Sequence, residues 1–189
     1  MKVYISALAE QITEDIVTLR KLMKLVHSEG HTLADDWIEP AYTRESKGVS
    51  LTPEEWQKIY VDSRDAIAKS DVIIAEVSKR SFGVGYQVAT AVQLKKPILL
   101  LRRHNATESA MAMGIAEQNV DFQRYTEANV ERIVQSFLRQ NDIPLKDMRF
   151  NFFINRQIYN YLRAASAKTG KTKAEIIREL VKREIDKDK

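Results

Sequence analysis

The 189-residue chain contains no cysteine, which excludes a disulfide framework, a thiolate nucleophile and any cysteine metal site. Its three histidines, His27, His31 and His104, have no metal-ligand spacing, so no metal site is expected. Nothing in the residue pattern calls for an organic cofactor. No apolar run approaches the ~20 residues of a membrane-spanning helix. The opening MKVYISALAE lacks the apolar core and cleavage pattern of a signal peptide. A cytoplasmic, soluble protein with no membrane partner is expected.

Hydrophobic residues make up 44% of the chain, enough for one medium domain or one domain plus a small appendage. Charge is distributed unevenly. From Arg149 onward eleven Lys/Arg stand against five Asp/Glu, a net of +6, whereas residues 1–148 carry 19 against 21, a net of −2. A near-neutral body with a basic tail suits an attached nucleic-acid-binding module, or a lysine-rich solvated helix face.

The most informative stretch is Asp71–Val92, where an apolar run (Val72, Ile73, Ile74, Ala75, Val77) meets a glycine-bearing turn over Ser78–Gly85. Helical spacing follows (Val84, Val88, Ala91, Val92). Strand, turn and helix in that order form a ligand-site unit of α/β proteins. Upstream, Lys2–Ile5 reads as a first strand. A helix through Ile16, Leu19, Leu22, Met23 and Val26 is expected to be capped by Thr13 or Ser6, and His31–Ala34 reads as a weak strand. Asp35–Ser50, with Pro40 and Gly48, reads as a long polar connection. Thr52-Pro53 opens another helix, with Trp56, Ile59, Tyr60, Ser63 and Ile67 on one face. Pro97–Leu101 and Val120–Gln123 read as strands, and Glu127–Asn141 as a helix. The alternation predicts a doubly wound parallel five-stranded sheet.

After a linker at 142–147, residues 148–189 change pattern. Phe150, Phe152 and Ile154 alternate with Arg149, Asn151 and Phe153 as in a half-buried strand. Two helices follow, separated by Gly170 and Thr172. Such a β-α-α unit is too small to bury a core alone, so an obligate homodimer or higher homo-oligomer is expected.

The tail RFNFFINRQIYNYLRAASAKTGKTKAEIIRELVKREI resembles the ribbon-helix-helix family of DNA-binding domains. The resemblance implies a paired two-chain ribbon with Arg149, Asn151 and Phe153 facing the major groove. It also implies phosphate contacts from Lys171, Thr172 and Lys173 at the second helix's start. Arg and Asn suit base reading; Phe153 suits a purely dimerising ribbon. DNA binding and dimerisation alone both stand.

Residues 1–141 resemble the nucleoside 2-deoxyribosyltransferase-like family, closest to its 2′-deoxynucleoside 5′-phosphate N-glycosidase branch. The matching pieces are VYIS, SDVIIAEVS, SFGVGYQ, KPILLLRR, SAMAMG and DFQRY, in family order. The resemblance implies a flavodoxin-like fold and a nucleoside or nucleotide ligand. Ser6, Ser81, Gly83 and Gly85 would contact it, and Ser109 and Met111 would reach in from a neighbouring subunit. The residues themselves support this: Ser81, Gly83 and Gly85 offer a hydroxyl and approachable N–H groups where a helix begins.

One position departs. The family's motif carries a nucleophilic glutamate just after its Gly-Tyr pair, and here that position is Gln87. An amide is neutral and a poor nucleophile, though it still hydrogen-bonds. The family's second acid falls near Ser63, flanked here by Asp62 and Asp65, and the first loop lacks the family's glycines and arginine. The expectation is a nucleotide-binding domain without the usual nucleophile, coupled to a dimerising module with DNA as a possible partner. The alternative is an active N-glycosidase or deoxyribosyltransferase using another carboxylate, Glu76 first, with Glu10, Asp35 and Asp36 behind it. Tyr4 and Tyr86 fit either core or ligand stacking. A repressor whose first domain binds nothing small is a third possibility.

Overall fold

Five short apolar runs become five parallel strands: β1 (Lys2–Ser6), β2 (Thr32–Leu33), β3 (Val72–Glu76), β4 (Ile98–Arg103) and β5 (Val120–Tyr125). The computed structural model describes residues 1–106, 114, 115, 117–142 and 152–187. Backbone contacts divide the chain into Met1–Pro144 and Leu145–Lys189. In the first unit the strand order is β2-β1-β3-β4-β5, all parallel, which is the flavodoxin-like order. That order reverses between β1 and β3, placing a crevice beyond their carboxyl ends.

Side-chain alternation divides the core. Val3, Ile5, Val72, Ile74, Leu99 and Leu101 face α1 (Ile12–Ser28) and α5 (Val130–Asn141). Tyr4, Ile73, Ala75, Ile98 and Leu100 face α3 (Pro53–Lys69) and α4 (Phe82–Gln93). Thr52 and Glu55 close a capping box at the start of α3, with Pro53 in its first turn.

Several local expectations need correction. The segment 35–50 is not one loop: Ile38–Ser46 forms a helix, α2, burying Ile38 and Ala41. Pro40 is its third residue, where a missing N–H costs no intrahelical bond. Neither Thr13 nor Ser6 caps α1, whose N-cap is Gln11 with no side-chain hydrogen bond. The site turn is shorter than expected, because α4 already begins at Phe82 and takes in both Gly83 and Gly85. On α3 only Ala66 and Ile67 are buried, leaving Trp56, Ile59 and Tyr60 partly exposed.

The second unit contains α6 (Arg156–Thr169) and α7 (Lys173–Lys187). Asn155 caps α6, and Gly170 closes it in the left-handed region at φ 70°, which glycine adopts without a Cβ penalty. Of the expected strand, residues 149–151 lie outside the described residues, and Phe152–Ile154 form no strand within one chain. A ribbon strand needs a partner strand to complete its hydrogen bonds. Among the described residues of this unit, only Leu162 and Ile176 are buried.

Candidate functional site

The crevice beyond β1 collects polar groups from four elements. Ser6, fully buried at the end of β1, donates from Oγ to Gln87 Oε1 at 2.6 Å. With Oε1 so occupied, the amide Nε2 is the donor facing the Tyr4 hydroxyl, which Ser63 also meets. Burial, then the charge of Asp35, pushes the Tyr4 hydroxyl well above its ordinary range. These groups line a cavity of about 220 Å³ together with Asp35, Trp37, Arg44, Trp56 and Asp62. Trp37 is fixed as its wall by donating from Nε1 to the Ile5 carbonyl at 2.8 Å. Asp62 pairs with Lys58 at 2.5 Å, one turn away on α3. Burial, followed by the charges of Asp62 and Asp36, raises the Asp35 carboxyl above its usual range. A ligand here would meet two carboxylates, a neutral amide and indole walls.

The Ser81 loop lies apart from that lining. Ser81 Oγ accepts the Val84 N–H at 3.2 Å and so caps α4. Gly83 and Gly85 have no positive φ, and a Cβ would meet only Ser81 Oγ, at 3.7 Å, from Gly83 and nothing from Gly85. Each glycine costs the helix about 1 kcal/mol relative to alanine, and packing among the described residues gives no return. Ser109 and Met111 lie outside the described residues.

No protein-family model matches the chain. Individual proteins do. A protein of Branchiostoma floridae named 5-hydroxymethyl-dUMP N-hydrolase is 40% identical over 75 residues, covering 38% of this chain and 71% of that protein. The chain belongs to the 2′-deoxynucleoside 5′-phosphate N-hydrolase family. A Methanosarcina barkeri protein named for that activity is 34% identical over 95 residues, 50% of this chain. The chain spans 58% of that relative's length. The structure of the CMP N-glycosidase of Clostridium botulinum superposes with a TM-score of 0.51 at 18% identity, covering 72% of this chain and 97% of that one. That likeness supports the flavodoxin-like sheet.

Within this N-hydrolase frame, Glu76 does not reach the Gln87 cavity. It shares strand parity with Val72 and Ile74, so it faces α1 and α5, whereas Gln87 lies on α4 across the sheet. Its Oε1 accepts from Ser78 Oγ and, at 3.0 Å, from the Tyr125 hydroxyl; its Oε2 accepts from the Ser78 N–H at 3.3 Å. Arg103 donates to Tyr125 at 3.1 Å and to Asp15 at 2.5 Å, and Lys79 pairs with Asp15 at 3.2 Å. Glu76 therefore ties together the base of the β3–α4 loop.

Burial raises the Glu76 carboxyl above its ordinary 4.5. A native value above the unfolded one means that Glu76 favours folding at low pH. That contribution is lost as pH rises through the native value. Glu76→Gln should therefore gain stability relative to wild type with increasing pH, read as a melting-temperature difference that grows from pH 4 to pH 8. A difference that is flat or shrinks would contradict this.

Of the other proposed carboxylates, Asp35 reaches the cavity, Asp36 is exposed, and Glu10 lines a second cavity shared with Arg44 and Trp56. Asp62 lines the cavity beside Ser63, while Asp65 pairs with Arg64 at 3.0 Å. Tyr86 is not in the core: it is partly exposed and meets the Tyr60 hydroxyl at 3.0 Å. Sequence reading missed Trp37, Arg44 and Trp56 as lining residues. The first two sit in the segment read as a loop, and Trp56 reads as core.

In the second unit, Thr172 and Glu175 form a capping box, so the Glu175 carboxylate already occupies the start of α7. Lys171 pairs with Glu179, and the Lys173 ammonium sits 4.4 Å from the Tyr159 ring centre. Phe153 is fully exposed. Arg149 and Asn151 lie outside the described residues. No described helix is long and apolar enough to cross a membrane.

Proposed function

We propose that the first unit binds a nucleoside or nucleotide in the Gln87 cavity and does not cleave it by covalent glycosyl transfer. The observation that carries this reading is the Ser6–Gln87 hydrogen bond. It holds a neutral amide where the family resemblance puts the nucleophile, and an amide cannot form the glycosyl ester that the covalent route requires. The relatives' names supply the ligand class, a 2′-deoxynucleoside 5′-phosphate. Gly83 and Gly85, which no described contact requires, are consistent with a second molecule approaching the start of α4. The second unit is a ribbon-helix-helix module that dimerises the chain, with DNA as the partner its basic charge suits.

The test is to incubate the full chain with the four 2′-deoxynucleoside 5′-monophosphates, following melting temperature and free base together. At least one nucleotide should raise the melting temperature, and none should lose its base. Base release by wild type would defeat this reading. It would favour a second one, in which a water is activated by Asp35 or Asp62, the carboxylates that do line the cavity; Asp35→Asn would then abolish release.

A further inference from the structure

The turn from β3 into α4, residues 77–81, leads into the Ser81, Gly83 and Gly85 group, yet its own backbone holds little of it. The Val77 N–H donates to the Leu101 carbonyl at 2.8 Å. The N–H groups of Lys79, Arg80 and Ser81 make no backbone hydrogen bond among the described residues. What fixes the turn is a set of side chains on the sheet face that packs against α1 and α5.

Ser78 is one anchor. Its hydroxyl donates to Glu76 and accepts from the Arg103 N–H at 2.7 Å. Asp15 is the other, 4% exposed in the first turn of α1. Its Oδ1 meets Arg103, from the end of β4, at 2.5 Å, and its Oδ2 meets the Lys79 ammonium at 3.2 Å. Glu14 meets the same ammonium at 2.7 Å from an exposed position. One buried carboxylate therefore joins α1, β4 and the turn. Lys79 stands two residues before Ser81, the cap of α4.

A carboxylate taken out of water is costly unless cations meet it, so the folded chain keeps Lys79 at Asp15. That link fixes the part of the turn that no backbone bond fixes. Neither Asp15, Glu14 nor Lys79 lines the Gln87 cavity or the second cavity beside it. A turn ordered before a ligand arrives spares the binding step the entropy of ordering it.

We propose that Asp15 is a positioning residue for nucleotide binding: through Lys79 it holds the β3–α4 turn in the shape that presents Ser81, Gly83 and Gly85 to the ligand. The role rests on the nucleotide reading above and extends it to a residue behind the sheet.

Two measurements on the full chain test it. One is calorimetry with whichever of the four 2′-deoxynucleoside 5′-monophosphates wild type binds best. The other is amide hydrogen exchange, without ligand, at Val84 and Gly85, whose N–H groups bond to Ser81. Asp15→Asn should weaken affinity by roughly tenfold, the entropy of refixing one residue, and speed exchange at both amides. Lys79→Met should do the same, and the double variant should be about as weak as either single one, because both remove one link. If Lys79 instead touched the phosphate itself, freeing its ammonium in Asp15→Asn would tighten binding. Glu14→Gln carries the same sign test if Asp15→Asn does not fold, with an expected loss of about twofold. Val134→Ala, a core cut in α5, should lower the melting temperature and leave affinity and both amides within about twofold, which separates positioning from general destabilisation. The role is overturned if Asp15→Asn spares or tightens nucleotide binding, if exchange at Val84 and Gly85 is unchanged, or if Val134→Ala takes the same loss. Wild type that binds none of the four nucleotides removes the nucleotide reading, and this role with it.

Discussion

Gln87→Glu is expected to turn the cavity from a binding site into an N-glycosidase, releasing free base from a 2′-deoxynucleoside 5′-monophosphate. The substitution preserves shape and adds a charge. Ser6 Oγ already donates to the side-chain oxygen at 2.6 Å, and the Tyr4 hydroxyl, which meets the other end of the amide, can donate to the second oxygen. Two donors favour the ionised carboxylate, while Asp62, which lines the same cavity, opposes it through like-charge repulsion. The reaction needs both a nucleophile and an acid. The introduced carboxylate would bond to C1′ as the C1′–N bond breaks. The base would leave with that electron pair and take up a proton, and water would then cleave the glycosyl ester. Asp35 is the group suited to supply the proton, because burial and its acidic neighbours raise its carboxyl. Free base measured by chromatography should exceed the wild-type background by on the order of 10³-fold or more, the scale of restoring a nucleophile to an assembled site. Adding Asp35→Asn should remove about 10²-fold of that gain. If the variant still binds nucleotide and releases no base, position 87 is not what silences the site. Ser63 or the first loop is then the deciding departure.

How far this site was legible depended on whether its signal was local. The sheet was readable because each strand is a short apolar run between turn signals, and five of them in alternation with helices allow few topologies. The α3 cap was readable because Thr52, Pro53 and Glu55 act within one turn. The α2 helix was hidden by Pro40 and Gly48, which mark a loop by composition although the first stands in a helix's opening turn and the second follows its end. Glu76 reads as a neighbour of the site because it ends the central strand; its parity with Val72 and Ile74 turns it to the other face. The cavity itself is a meeting of β1, α2, α3 and α4 in space. Neither Trp37 nor Arg44 carries a mark of that meeting in its own segment. The family resemblance supplied Gln87, and the physics of an amide supplied its consequence.

Val181→Glu is expected to dissociate the protein into monomers at concentrations where wild type is paired. The reasoning begins with how little the second unit buries. Leu162 and Ile176 are its only buried apolar residues among those described, while Ile158, Tyr161, Leu180, Val181 and Ile185 are exposed in a single chain. Ile158 and Tyr161 are three residues apart on α6, and Ile176 with Leu180 and Val181 with Ile185 are four apart on α7, the spacing of a packed face rather than of scattered surface residues. A unit of about 40 residues gains too little from its own core to hold two helices together, so a second copy is the economical cover. Val181 is 53% exposed in one chain, and glutamate is a good helix former, so the substitution leaves the single unit's helix intact. In a paired face the same carboxylate would be buried without a partner, weakening association by roughly 10²- to 10³-fold. Sedimentation should then show the monomer mass for Val181→Glu. Lys182→Glu, an exposed charged position one residue on, should keep the paired mass. If Val181→Glu keeps the wild-type mass, α7 does not form the pairing face, and the interface must be sought on the first unit, where Trp56, Tyr60 and Phe82 stand exposed.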